Sequence, residues 1–238
     1  MSVIGIVLAV AMSGPAQTAP VLWMHPRGAV LVQGKEVDAR ITTGAKTVRT
    51  PFGLGLDLNG THGGLLLGDL PQLALSRSLT VSTWIYLRSY VNAGPGAQVL
   101  FRGDDRNSLD PYTLSVLADG TIDFAIGSED GYGTSVGTDI PLRQWVHITG
   151  SFDAGRGELR IWKDGQLMAV RLTTRRSFST LDGGYAPGIG IGNVQNDRGP
   201  HNQPLNGILA DLRLYDSVVE PPMGGFMPRA GQQPDAPK

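Results

Sequence analysis

Between Trp145 and Arg171 the chain reads WVHITGSFDAGRGELRIWKDGQLMAVR, a stretch that constrains the fold more than any other. Val146, Ile148 and Phe152 share one parity and Trp145, His147 and Thr149 the other, the period of two with which a strand buries one face. Asp153-Ala154-Gly155-Arg156-Gly157 is a glycine-rich reversal of hairpin length. Leu159, Ile161 and Lys163 then alternate with Arg160 and Trp162, and Asp164-Gly165 closes a second hairpin. Asp-Gly between alternating runs predicts a type I′ turn, because both residues tolerate φ > 0 and the turn's twist matches that of the strands. Three antiparallel strands in succession form a meander, and its apolar face requires a second layer to cover it.

The rest of the chain supplies that layer. Leu54, Leu56 and Leu58 alternate with Gly53, Gly55 and Asp57 and turn at Asn59-Gly60 into Leu65-Leu66-Leu67. Leu79–Leu87 is the clearest single strand, with Leu79, Val81, Thr83, Ile85 and Leu87 on one face and Thr80, Ser82, Trp84 and Tyr86 on the other. Tyr112, Leu114 and Val116 lead into Asp119-Gly120, and Ile122, Phe124 and Ile126 return, which predicts another type I′ hairpin. Val21–Trp23, Ala29–Gln33, Gln98–Phe101, Gly188–Gly192 and Ile208–Leu214 complete the strand set. One helical turn is expected around Leu73 and no longer helix anywhere. The expectation is an all-β fold, a two-sheet antiparallel jelly-roll sandwich. Its expected bounds are 20–216, after a signal peptide over 1–19 and before a disordered Pro/Gly-rich tail over 217–238.

The signal-peptide reading rests on the apolar run Val3–Met12 and the small-residue stretch Ser13–Pro20, although Met1-Ser2 carries no Lys or Arg; a buried first strand is the alternative. Export to the cell exterior, the periplasm or the envelope is the expected location. No second apolar run reaches spanning length, so no membrane insertion is expected after signal removal. A formal net charge of −1 gives no electrostatic reason to expect nucleic acid. The absence of cysteine excludes disulfides, thiolate catalysis and cysteine-based zinc sites.

Five segments then occur in a telling order. They are FGLGLDLNG from Phe52, LTVSTWI from Leu79, WVHITGSFD from Trp145, LRIWKDG from Leu159 and GILADLRLY from Gly207. Together they resemble a laminin G-like domain of the concanavalin A-like lectin/glucanase superfamily over about Pro51 to Tyr215. The resemblance implies the sandwich and leaves function open among lectins, adhesion modules, glycosidases and spacers. Retaining glucanases of this fold carry paired carboxylates on one strand. The sequence has no Glu-x-Asp-x-x-Glu run, so a catalytic role is not expected. His147 reads as a structural histidine beside a strand tryptophan, and His25, His62 and His201 lack metal-ligand spacing.

Calcium is the cofactor the resemblance points to. In calcium-binding relatives an acid just before a strand like Tyr112–Val116 supplies one ligand, a position matched by Asp110, while Ser128 and Asn193 fall where carbonyl donors would lie. Asp211 in the last strand is an alternative structural calcium ligand, and ordinary solvated loop acids are the competing reading. Tyr132 and Tyr185 are loop aromatics able to stack on sugar rings, with Asp130 and Asn196 as polar companions. The function expected is that of an exported binding module recognising a glycan or an envelope or extracellular protein through rim loops. The alternatives are a glycan-cleaving hydrolase or lyase on the same fold, and a structural spacer without its own ligand.

Overall fold

The computed structural model describes residues 18–90, 96–104, 110–131, 133–183, 188–193 and 202–221. The chain opens with β1 (Leu22–Met24), β2 (Val30–Val32), β3 (Lys35–Glu36) and β4 (Arg40–Ile41), followed by the hairpin β5 (Ala45–Thr50) and β6 (Gly53–Asn59). Then come β7 (Leu65–Gly68), a single 3₁₀ turn at Pro71–Leu73, the long β8 (Leu79–Leu87) and β9 (Ala97–Gly103). A meander of β10 (Tyr112–Val116), β11 (Thr121–Gly127) and β12 (Gly133–Asp139) precedes the second meander, β13 (Trp145–Asp153), β14 (Glu158–Lys163) and β15 (Gln166–Leu172). β16 (Gly188–Ile191) and β17 (Asn206–Tyr215) complete the set.

These strands form two antiparallel sheets. The ten-stranded sheet runs β15-β14-β13-β8-β17-β1-β2-β3, with β6 and then β5 added beside the first half of β17. The seven-stranded sheet runs β12-β11-β10-β9-β16-β7-β4. Leu79, Val81, Ile85 and Leu87 of β8, Val146, Ile148 and Phe152 of β13 and Leu114, Ile122 and Phe124 of the facing sheet belong to one buried core. Gly150 shows how closely the layers interlock, because a Cβ there would lie 2.6 Å from Cγ of Phe124. The outer face of the ten-stranded sheet carries its own aromatic cluster. Phe52 stacks on Trp84 with centroids 3.9 Å apart and 8° between planes, and Trp145 meets the edge of Phe52 at 5.2 Å. Trp84 and Trp162 are buried and Trp145 is half-buried, so the strand tryptophans pack as strand residues are expected to.

Two turns differ from their expected type. Asp164 and Gly165 both have positive φ (52° and 81°), as a type I′ turn requires. At Asp119-Gly120 only Gly120 does (φ 85°), with Leu117 N–H donating to Thr121 O at 2.7 Å and Gly120 N–H to Leu117 O at 3.2 Å. That loop is a type I turn with glycine in the left-handed bulge position, one residue longer than the type I′ reading allows. Asn59-Gly60 makes no hairpin at all. The Asn59 side chain accepts the amides of Thr61 (3.0 Å) and His62 (3.1 Å), and the chain passes from one sheet to the other before β7. At the C-terminal side, the residues expected to start a tail are held. Thr80 Oγ1 donates to Ser217 O (2.8 Å) and accepts from Val219 N–H (2.9 Å), and Glu220 pairs with Arg160 at 2.7 Å.

Candidate functional site

One end of the seven-stranded sheet brings together the close of β9, the start of β10 and the close of β11. Two in-strand glycines make the approach possible. A Cβ on Gly103 would lie 2.1 Å from Oδ1 of Asp110, and one on Gly127 would lie 2.5 Å from the Asp110 carbonyl. Asp110 therefore lies directly over the ends of both neighbouring strands, and Ser128 follows Gly127 at the same end. Asp104, fully buried, follows Gly103 and accepts the amide of Asp182 at 3.0 Å. The segment 177–182 forms a strap below this rim. Ser177 Oγ donates to Pro111 O at 2.9 Å, and Arg102 donates to Ser179 O at 2.6 Å. Arg102 also pairs with Asp69 (2.9 Å), and the Tyr112 hydroxyl donates to Leu73 O (2.7 Å). Burial pushes that phenol well above its ordinary range, so it stays protonated as a fixed donor.

The sequence-derived donor set divides at this point. Asp110 and Ser128 share the rim. Asn193 does not, and this corrects the three-residue calcium set. β16 runs antiparallel to β9, pairing Gly188 with Gly103 and Ile191 with Leu100, and Gly192 N–H donates to Val99 O at 3.1 Å. Asn193 thus lies at the opposite end of β9, roughly 15 Å away at about 3.3 Å per residue. It is buried there, donating to Asn202 Oδ1 at 2.8 Å and accepting the Gln203 amide at 3.0 Å. Asp211 is also committed elsewhere. It occupies a bulge in β17 at φ 50°, takes the indole N–H of Trp23 at 2.7 Å and holds Arg213 through both carboxylate oxygens at 3.0 and 2.8 Å. A guanidinium already neutralises that carboxylate, so the alternative calcium position does not fit. Tyr132, Tyr185 and Asn196 lie outside the described residues. Asp130 is in the rim loop, where its carboxylate accepts Ser128 Oγ and pairs with Arg175. Among the described residues no group of three or more acid, histidine or cysteine side chains gathers as a metal would require.

Next to the rim lies a feature the sequence reading missed. β12 and β15 are the edge strands of the two sheets, and at this end they flank an open groove of about 510 Å³. Gly133 and Thr134 form one wall, Leu172, Thr173 and Thr174 the other, and Arg156 and Arg175 stand at its mouth. Its floor depends on Gly157, which has φ 64° and whose Cβ would lie 2.4 Å from Thr173 O; Thr173 N–H donates to Gly157 O at 2.8 Å. Asp153 Oδ1 shapes the adjoining turn by accepting the amides of Gly155 (2.9 Å) and Arg156 (3.0 Å). The Arg156 guanidinium stands 3.7 Å from Asp153 with its side chain 68% exposed. The next cation along, Arg176, donates to the Arg175 carbonyl at 2.8 Å and has no acidic partner among the described residues. The signal was present in the sequence as Arg156 in a glycine-rich reversal and Arg175-Arg176 just past the strand that pairs with it.

His147 is not part of this site. It is 4% exposed on the aromatic face, edge-on to Trp84 at 5.1 Å, and its backbone amide donates to Asp164 at 2.8 Å. Burial first and the nearby Arg213 charge second lower its pKa to about 4. His25 and His62 make local loop contacts, with the Arg27 amide at 3.1 Å and the Thr61 hydroxyl at 2.9 Å, and His201 lies outside the described residues.

Comparison with known proteins agrees with this architecture. A laminin G model, described as concanavalin A-like lectin/glucanases superfamily, matches residues 59–222. No curated protein matches the sequence. Among solved structures, domain 4 of AbnA, a GH43 extracellular arabinanase from Geobacillus stearothermophilus, in complex with arabinotriose, superposes with a TM-score of 0.60 at 18% identity. That match covers 83% of this chain and 92% of the domain. The binding domain of botulinum neurotoxin DC in complex with SialylT superposes with a TM-score of 0.63 at 11% identity, over 84% of this chain and 48% of the other. The serotype G toxin binding domain gives 0.63 at 10% identity over the same shares. The chain thus spans about half the length of those toxin domains, and at such identities the likeness is one of fold.

Proposed function

The chain belongs to the concanavalin A-like lectin/glucanase superfamily, and on that premise we propose that it is a non-catalytic module that binds a glycan at the rim and groove end of the sandwich. The carrying observation is the groove itself. It lies at the ends of two edge strands, each paired with a sheet neighbour on one side only, three threonines line it, and Arg156 and Arg175 flank its mouth. Sugar hydroxyls need this kind of dense polar lining, with an apolar wall for the C–H face of the ring. The AbnA domain solved with arabinotriose is matched over nearly its whole length, which supports reading the sandwich as a complete binding unit. The lack of a paired-carboxylate run supports binding rather than hydrolysis.

Export belongs to the same reading and is supported by the apolar run Val3–Met12 and the small residues after it. An envelope or extracellular protein is the other partner class that a rim site would serve. Calcium is retained for the rim only, with Asp110 and Ser128 as the protein donors; carbonyls or water would have to complete its shell of six to eight oxygens. A glycan array probed with the full chain in calcium and in chelator tests the reading, alongside a polysaccharide panel assayed for new reducing ends. Binding without chain cleavage is the expected result. New reducing ends would make the protein a glycan-cleaving enzyme, and binding to no glycan would leave a protein partner or a spacer role.

A further inference from the structure

We propose that the groove between β12 and β15 selects an acidic sugar, one carrying a carboxylate or sulfate group; this rests on the glycan-binding reading above. The chain as a whole has no basic excess, with a formal net charge of −1. The groove departs from that balance. Arg156 and Arg175 line it and Arg176 stands beside it, its Nη1 3.6 Å from where a Cβ on Gly157 would lie; among the described residues the acids that reach them are Asp153, 3.7 Å from the Arg156 guanidinium, and Asp130, which pairs with Arg175. Arg176 is left as a cation without an acid among the described residues. Asp153 holds Arg156 loosely: Oδ1 accepts two backbone amides of the turn, and the oxygen that faces the guanidinium, Oδ2, stands 3.7 Å from Nε, beyond hydrogen-bond length. An arriving anion would therefore meet one guanidinium lacking an acid partner and one held only loosely, both on exposed side chains.

The geometry also says why the anion should be borne by a sugar. Guanidinium presents a planar fork that matches carboxylate and sulfate oxygens. The Thr134, Thr173 and Thr174 side chains and the edge backbone supply partners for hydroxyls. Leu172, 75% exposed at the groove wall, offers an apolar contact for the C–H face of a sugar ring. A free inorganic anion would use only the guanidinium groups. A neutral sugar would leave the cation excess unused.

The test is titration calorimetry of the full chain with three trisaccharides of equal length: an oligogalacturonate, a sulfated galactose oligomer and neutral galactotriose. Each is run at about 20 mM and about 500 mM NaCl, since exposed ion contacts weaken as the screening length shrinks to a few ångströms. At least one acidic oligomer is expected to bind ten-fold or more tightly than the neutral one, with most of the advantage lost at high salt. Whether the uronate or the sulfated sugar is preferred identifies the anion. Arg156→Gln and Arg176→Gln should each weaken the acidic oligomer at least five-fold and leave the neutral one unchanged. Lys46→Gln, on the far side of the ten-stranded sheet, should change neither, and melting curves establish that all three variants are folded. Equal binding of neutral and acidic sugars, untouched by the arginine variants, overturns acidic selectivity and leaves glycan binding standing. Failure of all three sugars and of the glycan array together overturns both.

Discussion

Gly157→Ala is the perturbation that most directly probes how the groove is built. Gly157 sits in the left-handed region at φ 64°, and the Thr173 carbonyl occupies the space its Cβ would need, 2.4 Å away. Two costs therefore add. An L-residue in that region costs about 1–2 kcal/mol. The backbone of 173 must also retreat, which weakens the Thr173 N–H to Gly157 O bond of 2.8 Å and disturbs packing, for roughly a further 1–3 kcal/mol. Gly131→Ala is the matched control, because Gly131 has φ 80° but nothing within 4 Å of the added Cβ. It should show the conformational cost alone. Chemical denaturation should give roughly 3–4 kcal/mol of destabilisation for Gly157→Ala and about 1–2 kcal/mol for Gly131→Ala. At about 2–4 °C per kcal/mol for a domain of this size, the melting points should separate by several degrees. Equal losses would refute the close approach and with it the groove floor.

Three other outcomes are expected. Trp84→Ala, which empties a ring 5% exposed and stacked at 3.9 Å on Phe52, should cost about 3–5 kcal/mol, and Trp145→Ala less because that ring is only half-buried; urea denaturation of both ranks them, and the reverse order would contradict the packing. With the His147 pKa lowered from 6.5 to about 4, the unfolded chain takes up a proton that the folded one refuses, so stability should fall as pH drops from about 6.5 to 4, by up to roughly 3 kcal/mol. The difference between wild type and His147→Gln isolates this from the carboxylates, and parallel pH profiles would count against it. Melting in millimolar calcium against chelator should show a higher midpoint with calcium that Asp110→Ala removes and Asn193→Ala does not, and an unchanged wild-type curve would strike out the rim ion.

The strands were legible because their signal is local: alternation in LTVSTWIYL or YTLSV needs no knowledge of what lies opposite. The turn at Asp164-Gly165 was legible for the same reason. At Asp119-Gly120 the dipeptide misled, because the outcome depends on which residues close the loop. The Leu117–Thr121 bond admits a third loop residue, and only Gly120 then needs positive φ. Asn193 was misplaced by direction rather than by chemistry. A residue following β16 lies beside the start of its antiparallel neighbour β9, whereas Asp110 lies over that strand's end. The groove was hidden because its residues come from β12, the turn before β14 and the segment after β15, and no periodicity links them.

The rim and the groove owe their shape to positions that carry no side chain. Gly103 and Gly127 let Asp110 lie across two strand ends, and Gly157 lets the 173 backbone form the groove floor. These positions are inseparable from folding, since a Cβ at Gly127 or Gly157 meets backbone carbonyls and one at Gly103 meets the Asp110 carboxylate and the Phe101 ring. Arg156 and Arg176 are different: both are exposed, and neither touches the core formed by β8 and β13. Replacing them should alter the ligand and spare the fold, while replacing the glycines should damage both at once. On the proposed reading, exchange of a few exposed cations would change which anion is preferred, while the edges of β12 and β15, being backbone, would stay the same. That division predicts where selectivity resides: in the guanidinium groups at the groove's mouth, with the strand edges supplying an affinity for sugar that does not depend on charge.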